Sequence, residues 1–240
     1  MSTMAKALKN ISFVMPVLNE EAYLATAVES VFSQSVPGEM ELVVALGPSK
    51  DKTDDVAQKL KKKYGAKLQL VRSPGLTSTS LNLAIEKAKY EVVLRVDAHS
   101  ELSEGYAALA VKVLNETNAA NVGGMMVAKG KNDFQSAVAY GYNNKVGLGG
   151  GAFHVGGQAG PAETVYLGVF RKSAIEQVGG FSEAWVRGQD WELNQRLRQA
   201  GLIVWFDPRL QVSYYPRSDW ESLARQFFKT GVWRGALTRE

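Results

Sequence analysis

The sequence contains no cysteine and only two histidines, His99 and His154, among its 240 residues. Disulfide bonds and thiolate zinc sites are therefore excluded, and so is a metal site built mainly from histidine. No apolar run reaches the roughly 18 residues that a membrane-spanning helix needs. The first ten residues, MSTMAKALKN, lack the apolar core of a secretory signal. These absences favour a reducing compartment, and we expect a cytoplasmic protein.

Charge is nearly balanced. Lysine and arginine number 28 against 24 acidic residues, which gives a net charge of +4. Proteins that bind nucleic acid usually concentrate basic residues in a stripe. The one dense basic run, KLKKK at 59–63, ends a predicted helix, where cations interact favourably with the helix dipole. We therefore expect no nucleic acid partner, whereas a phosphate-bearing ligand or an anionic membrane surface suits the small positive charge.

Strand-like and helix-like segments alternate through the first hundred residues. The predicted strands are 11–17, 40–46, 66–71 and 90–96, and the predicted helices are 19–35 with Asn19 as N-cap, 51–65 ending at Gly65, and TSLNLAIEKAK opened by Ser78 or Thr79. Such alternation with short connections predicts a parallel, doubly wound α/β sheet. Ligands bind such sheets outside the carboxyl ends of the strands. The polar loops PVLNE, LGPSKDKT, RSPGLTS and DAHS all lie at that edge.

The second half is less regular. The predicted helices are 103–117, 134–145, a short one in KSAIEQVGGF, and 189–201 with Gly201 as C-cap; the predicted strands are 120–128 and ETVYLGVF. The glycine-rich stretch 147–160 suits a mobile loop over a site. Without a repeat or a linker, we predict one domain over 1–240. Its parts are a nucleotide-binding half at about 10–100, an acceptor half at about 101–215, and an amphipathic segment at 216–240.

Two carboxylates and one imidazole are candidates for chemistry. Asp97 and His99 follow a buried strand at positions i and i+2, so that in an extended tip both side chains point to one side. Divalent cations accept this pair of ligands; alternatively, Asp97 caps the following turn and His99 is a surface residue. Asp190 begins a helix, where it either stabilises the helix dipole or acts as a general base. His154 is expected to contact acceptor or solvent rather than metal.

Several longer motifs resemble those of the family 2 glycosyltransferases of the GT-A fold. They are VMPVLNEEAYLATAVESVFSQ, SKDKTDDVA, SPGLTSTSLNLAI, RVDAHS, GVFRKSAIEQVGGFSE and GQDWELNQRLRQAG, in family order from residue 11 to about 215. DAH in place of the commoner DxD, together with the closing YYPRSDWESLARQFFKTGVWRG, resembles the ExoA-like subgroup of succinoglycan biosynthesis. The resemblance implies an α/β, Rossmann-like fold for nucleotide-diphospho-sugar transferases, with a mixed central sheet flanked by helices.

The resemblance also implies roles for individual residues. The base and ribose would be lined by Pro16, Val17, Asn19 and Glu20, and the donor would be flanked by Arg72, Gly75 and Asn82. The diphosphate would lie near Trp233 and Arg234, and Mg²⁺ or Mn²⁺ would be held by Asp97 and His99. The acceptor hydroxyl would be deprotonated by Asp190. The sequence departs from the family at Leu46 and Gly47, where two aspartates usually stand, and at Gln189, which replaces a glutamate.

The implied activity is inverting, metal-dependent transfer of a sugar from a nucleoside-diphosphate-sugar, with a UDP-sugar favoured, to a hydroxyl of a carbohydrate or lipid-linked acceptor. The setting would be polysaccharide or glycolipid biosynthesis. A catalytically inactive module that binds nucleotide-sugars is the alternative. The C-terminal segment 219–240 either packs on the domain or lies on an anionic membrane at the inner face of the plasma membrane. Relatives often continue into membrane helices, so we expect a peripheral enzyme or a longer native chain.

Overall fold

The structure is a computed structural model that describes residues 7–147, 151–185 and 188–237. The strands are β1 Ile11–Val17, β2 Met40–Leu46, β3 Leu68–Arg72, β4 Val92–Arg95, β5 Glu101–Leu102, β6 Asn121–Ala128, β7 Gly160–Pro161, β8 Tyr166–Arg171 and β9 Val204–Tyr214. The helices are α1 Leu24–Phe32, α2 Thr53–Tyr64, α3 Thr77–Lys87, α4 Tyr106–Thr117, α5 Asp133–Tyr142, α6 Ala152–Val155, α7 Lys172–Gln177, α8 Gln189–Gln199 and α9 Trp220–Leu237.

One mixed sheet runs through the protein. Its first four strands stand in the order β3-β2-β1-β4 and are all parallel, as the strand–helix alternation predicts. The sheet then continues through β8, β6, β9 and β5, with β7 also paired to β9. Strand β8 is antiparallel to both β4 and β6, whereas β6 and β9 are parallel. The expectation of a mixed central sheet flanked by helices is confirmed.

Both faces of the sheet are covered, which explains why its strands are mainly apolar. Side chains alternate along a strand, so Phe13 and Met15 face one core while Val14 between them faces the other. The first core is closed by α1, α2 and α4, and the second by α3, α7 and α8. Leu193 and Leu197 of α8 are fully buried in the second core. This packing holds the first turn of α8 against the sheet.

The predicted helix starts need correction at two places. Helix α1 begins at Leu24 rather than at Asn19, which has a left-handed φ of 56°. The side chain of Asn19 cannot cap α1, because its Oδ1 accepts a hydrogen bond from the Lys50 amide at 2.8 Å. Helix α3 begins at Thr77, with Leu76 as its N-cap, so neither Ser78 nor Thr79 opens it. By contrast, Gly65 ends α2 as predicted.

Helix α8 ends at Gln199, two residues before the predicted cap Gly201. Its C-cap is Ala200, and Gly201 follows with a φ of +77°. The Leu202 amide then donates to the Leu197 carbonyl at 3.0 Å, which is the way that a left-handed glycine closes a helix end.

Strands β5, β7 and β9 were not predicted. Strand β9 contains Pro208 and pairs with β6 through a register shift between Gly123 and Met125. The two backbones approach so closely there that a Cβ on Gly124 would lie 1.9 Å from the Leu210 carbonyl oxygen. The Gly-Gly pair in β6 is therefore required by packing.

Two predicted segments fall partly outside the described residues. Residues 148–150 of the glycine-rich stretch lie outside them, and the described part includes α6 and β7. The C-terminal segment forms α9, with the side chains of Trp233 and Arg234 outside what the structure describes. Among the helices that are described, none has the length and apolar character needed to cross a membrane.

Candidate active site

Six of the predicted site residues line one cleft at the carboxyl ends of the parallel strands. The cleft has a volume of about 220 Å³ and is formed by the segments that follow β1, β3 and β4. The predicted residues in its wall are Pro16, Val17, Glu20, Gly75, Asp97 and His99, and the others are Leu18, Thr77, Ser80, Arg95 and Ala98. Three of the polar loops expected at this edge of the sheet therefore meet there.

A buried arginine joins the two candidate carboxylates. Arg95, the last residue of β4, donates from Nε and Nη2 to Oδ1 of Asp97, at 3.1 and 2.9 Å. Its Nη1 donates to Oδ1 of Asp190 in the first turn of α8. The Arg95 side chain is only 9% exposed, against 20% for Asp97 and 27% for Asp190. Asp190, 95 residues away in sequence, is thus brought to the same edge of the sheet as Asp97.

The shared cation affects the two carboxyl groups differently. Burial by itself raises the pKa of Asp97, but the charges of Arg95 and His99 outweigh burial, and the pKa falls below its ordinary value. Burial also raises the pKa of Asp190; Arg95 opposes this, the charge of Asp97 adds to it, and the pKa stays above its ordinary value. Asp97 therefore stays ionised more readily, and Asp190 takes up a proton more readily.

His99, which follows β4, lies beside Glu20, which follows β1. Its Nδ1 is 3.0 Å from Oε1 of Glu20, and this hydrogen bond raises the pKa of the imidazole. Asp97 also interacts electrostatically with the ring. No three acidic, histidine or cysteine side chains within the described ranges could together hold a metal ion. A cation held here by Asp97 and His99 would need its remaining ligands from water and substrate.

The two residues still fit a divalent cation. Both hydrogen bonds from Arg95 to Asp97 end on Oδ1, which leaves Oδ2 as the oxygen that can bind a cation. Likewise, Nδ1 of His99 faces Glu20 and leaves Nε2 as the ligand nitrogen. Mg²⁺ and Mn²⁺ sites that use few protein ligands together with phosphate oxygens are common, because Mg²⁺ keeps several waters.

Asn19 and its neighbours shape the loop after β1. The Asn19 amide donates to Oγ of Ser49 at 3.0 Å, and the Glu20 amide donates to Oγ1 of Thr53 at 2.8 Å. Asn19 is not among the residues that line the cleft; its hydrogen bonds hold the loops after β1 and β2 together. These contacts fix the backbone of Glu20, whose side chain pairs with His99.

Arg72 and Asn82 do not line the cleft either. Arg72 is exposed and pairs with Asp54 at 2.8 Å. Asn82 forms two hydrogen bonds of 2.8 Å with the backbone of Phe181, one through its amide nitrogen and one through its carbonyl oxygen. Asn82 thus joins α3 to the segment before α8 and contributes to the site indirectly, by holding that segment in place.

Position 47, where the family usually has an aspartate, has no room for a side chain in this structure. A Cβ at Gly47 would lie 2.8 Å from the Cα of Gly75, which has a φ of +93°. The loops after β2 and β3 therefore touch backbone to backbone, and no aspartate fits at position 47 in this arrangement.

Sequence reasoning missed Arg95 and Tyr166. Tyr166 begins β8, and burial, followed by the charge of Asp97, raises its pKa well above the ordinary value. The sequence offered a signal for Arg95, because a charged residue within the apolar run VVLRV must find a partner. For Tyr166 there was no comparable signal.

Helix α8 is joined to the preceding segment through Arg196. This residue pairs with Glu192 at 2.5 Å, and both side chains are largely buried. Arg196 also donates to the carbonyls of Val178 and Gly180. The pair therefore fixes the position of α8, and with it that of Asp190.

Comparison with known proteins identifies the family. The family model for glycosyl transferase family 2 matches residues 12–179, which is more than half of the chain. The chain belongs to glycosyl transferase family 2. It is 30% identical over 220 residues to the succinoglycan biosynthesis protein ExoA of Rhizobium meliloti, a match that covers 91% of this chain and 67% of that protein. The chain is accordingly a glycosyltransferase that is similar to ExoA.

Solved structures show the same GT-A fold. S. aureus TarS 1-349 in complex with UDP-GlcNAc matches 88% of this chain with a TM-score of 0.68 and 18% identity. The mannosyltransferase PcManGT from Pyrobaculum calidifontis, in complex with GDP-Man and Mn²⁺, matches 89% with a TM-score of 0.67 and 18% identity. This chain spans 60% and 59% of those two chains.

Proposed function

We propose that this glycosyltransferase performs an inverting, metal-dependent transfer of a sugar from a nucleoside-diphosphate-sugar to an acceptor hydroxyl. The observation that supports this most is that Asp97 and His99 line one cleft beside the loop after β1, while Arg95 in the same cleft links Asp97 to Asp190. Such an arrangement brings a cation-binding pair and a proton acceptor together at the place where a donor diphosphate would lie.

Each residue has a defined task in this mechanism. Pro16 and Val17 form the wall on which the base and ribose rest, with Glu20 beside them. Asp97 and His99 hold Mg²⁺ or Mn²⁺, which when bound offsets the negative charge that develops on the departing diphosphate. Asp190 accepts the proton of the acceptor hydroxyl at a carboxylate oxygen.

Inversion follows from the use of a single displacement. The acceptor oxygen attacks the anomeric carbon from the side opposite the diphosphate, and its proton passes to Asp190. The bond between sugar and diphosphate breaks in the same step, so no protein nucleophile is needed. The raised pKa of Asp190 suits it for this role, because a more basic carboxylate takes up a proton more readily.

The proposed donor is a UDP-sugar. UDP-GlcNAc is bound in the TarS structure, and a GDP-sugar with Mn²⁺ is bound in the PcManGT structure, so the fold accommodates either base. The acceptor is a carbohydrate or a lipid-linked glycan in polysaccharide or glycolipid biosynthesis, in keeping with the similarity to ExoA. We also propose that α9 contacts the inner face of the plasma membrane, where a lipid-linked acceptor would be found.

The decisive test is the substitution Asp190→Asn. Loss of a general base typically costs a factor of about 10² to 10⁴ in kcat, whereas donor binding should remain. A matched control is Asp133→Asn, because Asp133 is also an acid in the first turn of a helix but is exposed. Transfer is measured as nucleoside diphosphate release with and without Mn²⁺.

Two results would contradict the proposal. Undiminished turnover by Asp190→Asn would show that this carboxylate is not the base. Nucleotide-sugar binding by the unsubstituted protein without metal-dependent transfer or hydrolysis would favour the alternative of an inactive binding module.

A further inference from the structure

Arg95 is an unusual residue for its place in the fold. It ends β4 opposite Val14 of β1, in the parallel part of the sheet. Only 9% of its side chain is exposed. A charged side chain is stable in such a place only when it is paired and hydrogen-bonded. The carboxylates of Asp97 and Asp190 supply both the pairing and the hydrogen bonds. A guanidinium is not deprotonated in proteins, so the positive charge of Arg95 is permanent.

The geometry of the contacts distinguishes Arg95 from a simple counterion. Two of its nitrogens are directed at Asp97 and the third at Asp190. A guanidinium is a rigid planar fork that can hold two carboxylates in one arrangement, whereas a lysine ammonium is a single point charge on a flexible stem. The two carboxylates belong to different parts of the chain, one following β4 and the other in α8.

We propose that Arg95 is a positioning residue for sugar transfer, which holds the cation-binding carboxylate Asp97 and the base Asp190 at a fixed separation. This inference rests on the function proposed above. Transfer requires the acceptor oxygen to attack in line with the departing diphosphate, and a misplacement of about 1 Å can cost about 10²-fold in rate. Asp97 stands at the diphosphate end of this line and Asp190 at the acceptor end, and the rigid link through Arg95 sets the spacing between them.

Arg95 also limits the negative charge of the site before nucleotide binds. Asp97 and Asp190 both pair with Arg95, and Glu20 lines the same cleft. Their negative charges attract a divalent cation in the absence of nucleotide. The positive charge of Arg95 opposes that attraction. Removing this charge should therefore strengthen cation binding in the absence of nucleotide, whatever happens to turnover.

The experiment compares two substitutions that separate geometry from charge. Arg95→Lys keeps the charge but removes the fork, and Arg95→Gln removes both. Arg171→Lys is the matched control, because Arg171 also lies on a central strand and holds two backbone carbonyls at 3.0 Å, those of Ala119 and Leu114. Arg171 pairs with Val92, at the end of β4 away from the cleft.

Three quantities are measured on the purified full chain: kcat and donor KM, the dissociation constant of Mn²⁺ alone, and the melting temperature. We expect kcat to fall at least about 30-fold in both Arg95 variants, with donor KM within about threefold of the starting protein. Mn²⁺ alone should bind at least about tenfold more tightly to Arg95→Gln and no more than about threefold differently to Arg95→Lys. Arg171→Lys should change none of the kinetic or Mn²⁺ values by more than about threefold.

The outcomes are distinct. Near-normal kcat in Arg95→Lys would show that charge alone suffices and would overturn the positioning role. Unchanged Mn²⁺ binding in Arg95→Gln would overturn the electrostatic part. A kcat loss in Arg171→Lys equal to that in Arg95→Lys at equal melting temperatures would reduce the effect to general destabilisation. If Asp97→Asn and Asp190→Asn retain turnover, the proposed function fails; if they lose it while both Arg95 variants keep it, only this inference fails.

Discussion

Helix α9 exposes an apolar stripe, and the exposed area of this stripe gives the expected effect of a substitution on the proposed membrane contact. Trp220, Ala224, Phe228 and Val232 follow one another at intervals of four residues, and Trp220 and Phe228 are 73% and 74% exposed. The helix is attached by another face, where Leu223 is buried and Gln226 donates to the hydroxyls of Tyr142 and Tyr214 at 3.3 Å. We call the four exposed residues the α9 stripe.

The α9 stripe offers enough area for measurable binding. A large aromatic side chain has about 150–250 Å² of surface to bury. Because Phe228 is 74% exposed, about 150 Å² of its surface can insert into a membrane. At about 25 cal/mol per Å², half-insertion of Phe228 contributes about 2 kcal/mol, or about thirtyfold in partitioning. Basic residues near an anionic surface add about 1 kcal/mol each; Lys229 lies next to Phe228 in sequence, and Arg225 is paired with Glu221.

The assay is cosedimentation with vesicles rich in phosphatidylglycerol, compared with phosphatidylcholine vesicles. Phe228→Ser should weaken binding to the anionic vesicles by about thirtyfold. The control is Ile203→Ser, an exposed apolar residue just before β9, at the end of that strand away from α9, which should leave binding unchanged. Equal sedimentation of Phe228→Ser and the unsubstituted protein, or no sedimentation of either, would refute the membrane contact.

Two further predictions concern stability. Asn82→Ala should lower the free energy of unfolding by about 1–3 kcal/mol, since it leaves both backbone groups of Phe181 without their partner; a raised donor KM without any change in melting temperature would instead indicate direct donor contact. The hydrogen bonds from Arg209 lower the pKa of buried Asp207 below its ordinary value of 3.8. The stability that ionised Asp207 contributes is therefore fully present above pH 3.8. It is lost as the pH falls through the lower pKa of the folded state. Asp207→Asn should therefore cost about 1–3 kcal/mol at neutral pH and flatten the acid limb of a stability–pH curve; an unaltered acid limb would contradict this.

The parallel half of the fold could be predicted because its signals are local. The runs at 11–17 and 40–46 match β1 and β2 residue for residue, since a strand covered on both faces is apolar throughout. The start of α1 was misplaced because Asn19 and the acids after it resemble a helix N-terminus. Its side chain instead binds the loop after β2, and such a contact between loops leaves no periodic signal in the sequence.

The antiparallel half was harder to predict for two physical reasons. Strand β9 contains Pro208, and a proline argues against a central strand; the register shift opposite Gly124 accommodates it. The pairing of Arg95 with Asp190 depends on where α8 packs, which no spacing within the sequence specifies. Asp97 and His99 could be proposed because they follow their strand directly, whereas the sequence indicates only that Arg95 needs a partner and not that Asp190 is one.

The strand order explains why these groups meet where they do. In the order β3-β2-β1-β4, the chain leaves β1 toward one side of the sheet and reaches β4 on the other, so the loops after these two neighbouring strands separate at the carboxyl edge. Such a switch point leaves a crevice, and here Glu20 and His99 line it from the two loops. Strand β8 then enters antiparallel beside β4, and α8 closes the far side with Asp190. The proposed donor site and the proposed proton acceptor therefore share Arg95 because β4 is the strand at which the parallel and antiparallel halves of the sheet join.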